Sequence, residues 1–91
     1  MILHTTEVTP LPGYRLAVRF NNGEAGVVDL SGELEGEVFE VLRAPEQFST
    51  AYHHPVMRTV AWKNGADMAP EFLLEMMHRT ASADAGGPAP T

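Results

Sequence analysis

Cysteine is missing from this chain of 91 residues, so no disulfide supplements its core and no thiol is on hand as a nucleophile. Basic residues are scarce. Six Lys and Arg stand against twelve Asp and Glu, a formal net charge of -6. Most nucleic-acid affinity comes from neutralising phosphates, and Arg15, Arg19, Arg43, Arg58, Lys63 and Arg79 are scattered without a basic stripe. That balance excludes nucleic-acid binding by this chain alone. No apolar run approaches the ~20 residues that span a bilayer, so no membrane partner is expected. Met1-Ile2-Leu3-His4 lacks the charged and apolar segments of a secretion signal, and a cytoplasmic location is the expectation.

What is present fits a globular protein: 44% hydrophobic and 20% charged residues. The length suits one small domain whose core rests on a few large side chains, Trp62, Tyr14, Tyr52 and the phenylalanines among them. Self-association is a ready way for so small a chain to bury more apolar surface.

Residues 2–9 are rich in Thr and Val and read as a strand that ends at Pro10. Leu11-Pro12-Gly13 reads as a turn. Residues 14–20 alternate, with Tyr14, Leu16, Val18 and Phe20 on one side and Arg15, Ala17 and Arg19 on the other, the period of a strand with one wet face. A second such run, 24–30, follows Asn22-Gly23, the signal for a two-residue type I′ hairpin. That register sets Phe20 opposite Ala25 and Val18 opposite Val27, with Arg19 diagonal to Glu24. Residues 31–37 read as irregular. Val38–Leu42 is ambiguous by period and is read as a helical turn, because Pro45 opens a short helix that points Phe48 inward. Short strands are expected in 51–55 and 58–62. Asp67 is expected to cap a closing helix over Pro70–Arg79, with Ala69, Phe72, Leu73, Met76 and Met77 on its apolar stripe and a Glu75–Arg79 pair outside. The Ala-, Gly- and Pro-rich segment 80–91 is expected to form a disordered tail. The fold class is therefore α+β: a small antiparallel β-meander, a short helical segment and a C-terminal helix packed on one face, in a single domain over 1–79.

Three stretches carry a resemblance: LPGYRLAVRFNNGEAGVVDLSGEL at 11–34, VFEVLRAPEQF at 38–48 and VAWKNGADMAPEFLLE at 60–75. The chain resembles a bacterial domain-of-unknown-function family, number 2442, over about residues 2–78, most distinctively from Trp62 to Leu73. The resemblance implies a small α+β fold of bacterial or phage origin. Members mostly stand alone. Some are joined to a helix-turn-helix domain, and some lie beside a second small gene, which points toward a toxin–antitoxin pair. The family brings no established catalytic residues, so none is carried over, and the segment after Arg79 lies outside the resemblance.

Four constellations remain. Asp29, Glu33, Glu35, Glu37 and Glu40 form an acidic segment that either docks a basic partner or simply solvates a loop. His53 and His54, with His4 and His78 elsewhere, suit a metal only from a loop, because neighbours on a strand face opposite ways; no H-x-x-x-H or H-E-x-x-H accompanies them. Trp62 is either a binding anchor or the largest core residue. Leu74 lies off the main stripe of a Met-rich helix, which suits either an adaptable interface or a core helix with one stray Leu. No G-x-S-x-G or G-x-x-x-x-G-K occurs. The preferred reading is a non-enzymatic protein-interaction module without cofactor or metal. Its partner is a second copy or a small basic protein, met through Glu33, Glu35, Glu37, Leu74 and Met77. An antitoxin-like member of a toxin–antitoxin pair is the alternative, and a metal-dependent enzyme using His53, His54 and nearby carboxylates the remote one.

Overall fold

Leu16, Val18 and Phe20 alternate with exposed Arg15 and Arg19, and the burial follows that period: the three apolar side chains are sealed. In the computed structural model, which describes residues 2–86, this strand is β2 (Arg15–Phe20). It is the middle of a three-stranded antiparallel meander with β1 (Thr5–Leu11) and β3 (Ala25–Asp29), in the order β1-β2-β3. A helical segment follows: α1 (Glu37–Glu40), a 3-10 turn at Val41–Arg43 and α2 (Pro45–Phe48). Next comes a two-stranded ribbon, β4 (Tyr52–His53) with β5 (Val60–Ala61), and then α3 (Pro70–Gly86). This is the α+β arrangement that the pattern predicts.

The hairpin between β2 and β3 differs from the two-residue expectation. Its loop is Asn21-Asn22-Gly23: the Phe20 amide donates to the Glu24 carbonyl (2.8 Å), and Arg19 pairs with Ala25. Only Gly23 takes positive φ (91°) here, so this is the three-residue loop with glycine in the left-handed position. The asparagines explain the choice. Asn21 is committed to the N-terminal segment, accepting from the His4 amide (2.9 Å) and donating to the Ile2 carbonyl (2.8 Å). Asn22 Oδ1 accepts from the Glu24 amide (2.9 Å), which closes the turn. One residue of slip turns every β3 side chain over. Val28 and Gly26 thus face the core, while Ala25 and Val27, expected there, lie on the outer side with Arg15 and Arg19. Arg19 pairs across to Glu7 on β1 (3.0 Å) rather than to Glu24.

Other boundaries move for local reasons. β1 continues through Pro10 to Leu11, because it is an edge strand and a missing N–H costs little on the open side. Tyr14 leaves β2 for the preceding turn at φ 60°. Asp67 does not cap α3. It bridges Ala61, and the Ala69 carbonyl accepts the first helical bond from Leu73 (3.1 Å). The closing helix also extends past Arg79 to Gly86, into part of the expected tail. Alanine at alternate positions favours helix, and Thr80 fastens it: its hydroxyl donates to Met76 and accepts from the Asp29 amide (3.0 Å) on β3. The rest of that tail, 87–91, lies outside the described residues.

The core joins Leu16, Val18, Phe20, Val28 and Leu30 of the meander to Leu42 and Phe48, Val60 and Trp62, and Leu73 and Met77 of α3. Trp62 is a core residue; its Nε1 donates to the Phe48 carbonyl (3.0 Å). α3 seats on β3 where Gly26 leaves room. A Cβ there would stand 3.1 Å from the Met77 Cγ and Sδ atoms. Gly26→Val is therefore expected to overpack the seat and cost about 1–3 kcal/mol. A urea titration checks this by a lower midpoint at an unchanged slope.

Candidate functional site

Three prolines and two aromatic rings, far apart in sequence, meet at one end of the meander. Pro10 and Leu11 close β1, Pro12, Gly13 and Tyr14 form the β1–β2 turn, and Pro45 and Phe48 come from α2, with Ser49 just after it. Together they line an open groove of about 370 Å³ whose walls carry no charged side chain. Tyr14 also lines a second hollow, with Ser31, Gly32, Leu34, Glu35 and Arg43. Its ring meets Phe48 edge-on (5.6 Å between centroids, 85°), and its hydroxyl donates to the Arg43 carbonyl. Those contacts hold a bulky residue at positive φ, a conformation that costs about 1–3 kcal/mol and collects at functional positions.

The residues of the expected partner surface come from different elements. Glu33, Glu35 and Glu37 stand exposed on the loop into α1 and at its first residue, and Glu40 joins them on α1. Leu74 and Met77 belong to α3. Leu74 is half-buried against the core, and Met77 is buried on Gly26, so its side chain is used inside the chain. Nothing in the sequence marked the groove: residues 10–14 and 45–49 meet only after folding. The prolines were legible, but as turn and helix punctuation.

The histidines have other duties. The His53 ring stands 2.8 Å from the Thr5 carbonyl through Nε2, and the His4 ring 3.0 Å from the same oxygen through Nδ1. His54 Nδ1 accepts the amides of Val56 (3.2 Å) and Met57 (3.1 Å). Among the described residues, no group of three His, Cys, Asp or Glu side chains could hold a metal. On the far side, His78 Nε2 contacts Glu24 Oε1 (2.6 Å), and this hydrogen bond holds the Glu24 carboxyl below its ordinary range. Asp29 closes the turn after β3. Its Oδ1 accepts from the Ser31 amide (2.9 Å), and the Ser31 bonds hold its carboxyl below the usual value.

The family described as protein of unknown function (DUF2442) matches residues 5–78. The chain belongs to that family. Like the fold expected of it, this DUF2442 chain is an antiparallel meander with a closing helix. A search of curated proteins finds no match. Among solved structures the chain is similar to a crystal structure described as a putative DNA binding protein from Nitrosomonas europaea, with a TM-score of 0.76 and 20% identity. The similarity covers 90% of this chain and 53% of that one, so the DUF2442 chain spans about half of that protein's length. At such identity the likeness is one of fold. No helix among the described residues is long and apolar enough to cross a membrane.

A carboxyl held low in the folded state contributes stability above its unfolded value, and that contribution is lost as pH falls through the folded value. Asp29 therefore adds to stability near neutrality and ceases to do so in acid. Asp29→Asn, which keeps the amide acceptor but not the charge, is expected to show a smaller loss of stability below about pH 4 than the unaltered chain. Thermal unfolding followed from neutral pH into acid measures the difference.

Proposed function

We propose that this DUF2442 chain is a non-enzymatic protein-interaction module, and that the groove beside Tyr14 receives a short, extended, proline-containing segment of a partner protein. The carrying observation is the uncharged groove walled by prolines and by the strained, edge-packed Tyr14. Apolar, aromatic-walled grooves suit extended chains that keep a polyproline conformation, because such chains lose little entropy on docking. The lining supplies hydroxyls from Tyr14 and Ser49 but no carboxylate, imidazole or amine for acid–base work. Of the histidines, His4, His53 and His54 spend ring nitrogens on the backbone, and His78 contacts the Glu24 carboxylate away from the groove.

DNA binding, the description attached to the Nitrosomonas europaea protein, is not carried over. The likeness spans 53% of that protein. Here the arginines on the outer sheet face are engaged, Arg19 with Glu7 (3.0 Å) and Arg15 with the Pro12 carbonyl (3.2 Å). A chain of net charge -6 has little left to neutralise phosphates.

Titration of isotope-labelled chain with a synthetic peptide of repeating Pro-x-x-Pro is the direct test. Saturable amide shifts at Gly13, Tyr14 and Ser49 are expected, with affinity lowered about ten-fold or more in Tyr14→Ala, the scale of an aromatic hot spot. Shifts scattered over the surface, or none, count against the groove. The antitoxin-like role is a narrower form of this reading, in which the partner is a small basic protein and the exposed Glu33, Glu35 and Glu37 steer the encounter. Expression of the adjacent gene is then expected to arrest growth, with rescue by this chain; an unaffected culture removes the role.

A further inference from the structure

Two other surfaces expose large apolar side chains, and their surroundings carry opposite charge. The first is the β4–β5 turn. Val56 is 82% exposed, Met57 46% and Tyr52 43%. The turn is built to present them. His54 Nδ1 holds the amides of Val56 and Met57, and the Arg58 amide donates to the His54 carbonyl (2.8 Å). Arg58, at φ 56°, is locked there because its carbonyl accepts from the Thr5 amide (3.0 Å). An ordered apolar tip is a poor accident, since its exposure gains nothing for the isolated chain. The charge beside it is that of Arg58, and segment 52–58 has no carboxylate.

The second is a ridge on the helical segment. Val38 and Val41, three positions apart and so on one helical side, are 49% and 47% exposed. Glu33, Glu35, Glu37 and Glu40 flank them in the chain, against Arg43, whose Nε is spent on the Leu34 carbonyl (2.8 Å). The ridge is fixed to the open end of the β4–β5 ribbon by Asn64 Nδ2 donating to the Val38 carbonyl (3.0 Å). Tip and ridge therefore lie at opposite ends of one ribbon and cannot meet within a chain.

We propose that the tip of one copy docks on the ridge of the next, joining chains head to tail. Val56 and Met57 cover Val38 and Val41, and Arg58 meets the ridge glutamates. Charge complementarity selects a second copy as the occupant: each surface supplies both the apolar strip and the sign the other needs. Because the two patches differ, the contact is heterologous and propagates beyond a dimer or closes into a ring. It uses surfaces distinct from the groove beside Tyr14 and does not depend on it.

Complementation between two variants of the full chain tests this. By sedimentation at up to about 1 mM, the weak end of measurable association, the unaltered chain is expected to form species larger than a dimer that dissociate in high salt. Val56→Glu with Met57→Glu spoils the tip, and Val38→Lys with Val41→Lys spoils the ridge. Each is expected to be a monomer alone, and an equal mixture to form a dimer, because each partner keeps one intact surface. Val56→Ser with Met57→Ser, a milder tip variant, is expected to weaken association at least about ten-fold; circular dichroism verifies the fold of each. An unaltered chain that stays monomeric overturns the proposal. So does a spoiled variant that still self-associates, or a mixture that stays monomeric. Tyr14→Ala is expected to leave the association unchanged, which separates this outcome from the fate of the groove.

Discussion

The seat of α3 on the meander depends on the three-residue loop at Asn21-Asn22-Gly23. That loop sets the β2–β3 register, and the register decides which β3 residues face inward. With Arg19 opposite Ala25, Gly26 faces α3 and Met77 settles where a side chain would otherwise stand. A two-residue loop would present Ala25 and Val27 there instead. Asn21 of the same loop binds the N-terminal segment, so the loop also places His4 and Thr5 against the β4–β5 ribbon. A local choice of hairpin is thus felt at the helix, at the sheet edge and at the ribbon turn.

Strain follows the same economy. Among the described residues, the non-glycine residues at positive φ are Tyr14 and Arg58. Each is held by long-range contacts: Tyr14 by Phe48 and the Arg43 carbonyl, Arg58 by Thr5. Each stands beside a surface proposed to meet a partner, the groove in one case and the apolar tip in the other. Strain persists only where surroundings over-determine it, and here the over-determining contacts also shape the two surfaces.

Much of the fold was legible in sequence. The alternation of β2 reads directly, because a strand with one wet face must alternate. Pro45 announced α2 and the inward turn of Phe48, and the apolar stripe of Phe72, Leu73, Met76 and Met77 announced α3. The candidate site was far less legible. Acidic residues at 33–40 and apolar ones in α3 suggested a single surface, but period alone does not say which apolar residues a fold consumes. Met77 is consumed by Gly26, and the prolines that seemed only to end elements wall a groove.

The sequence by itself determined the α+β class, the middle strand, the helical segment, the closing helix and membership in a family without assigned chemistry, because these rest on local period, turn residues and a recognisable run. Tertiary structure alone decided the hairpin register, the end of α3 and the meeting of residues 10–14 with 45–49. Those outcomes turn on which competing bonds win. Asn21 serves the N-terminal segment rather than a tighter turn, Thr80 ties the helix to Asp29, and Tyr14 gives up its strand position for Phe48. Each partner is distant in sequence, so the choice becomes visible only once the chain has folded.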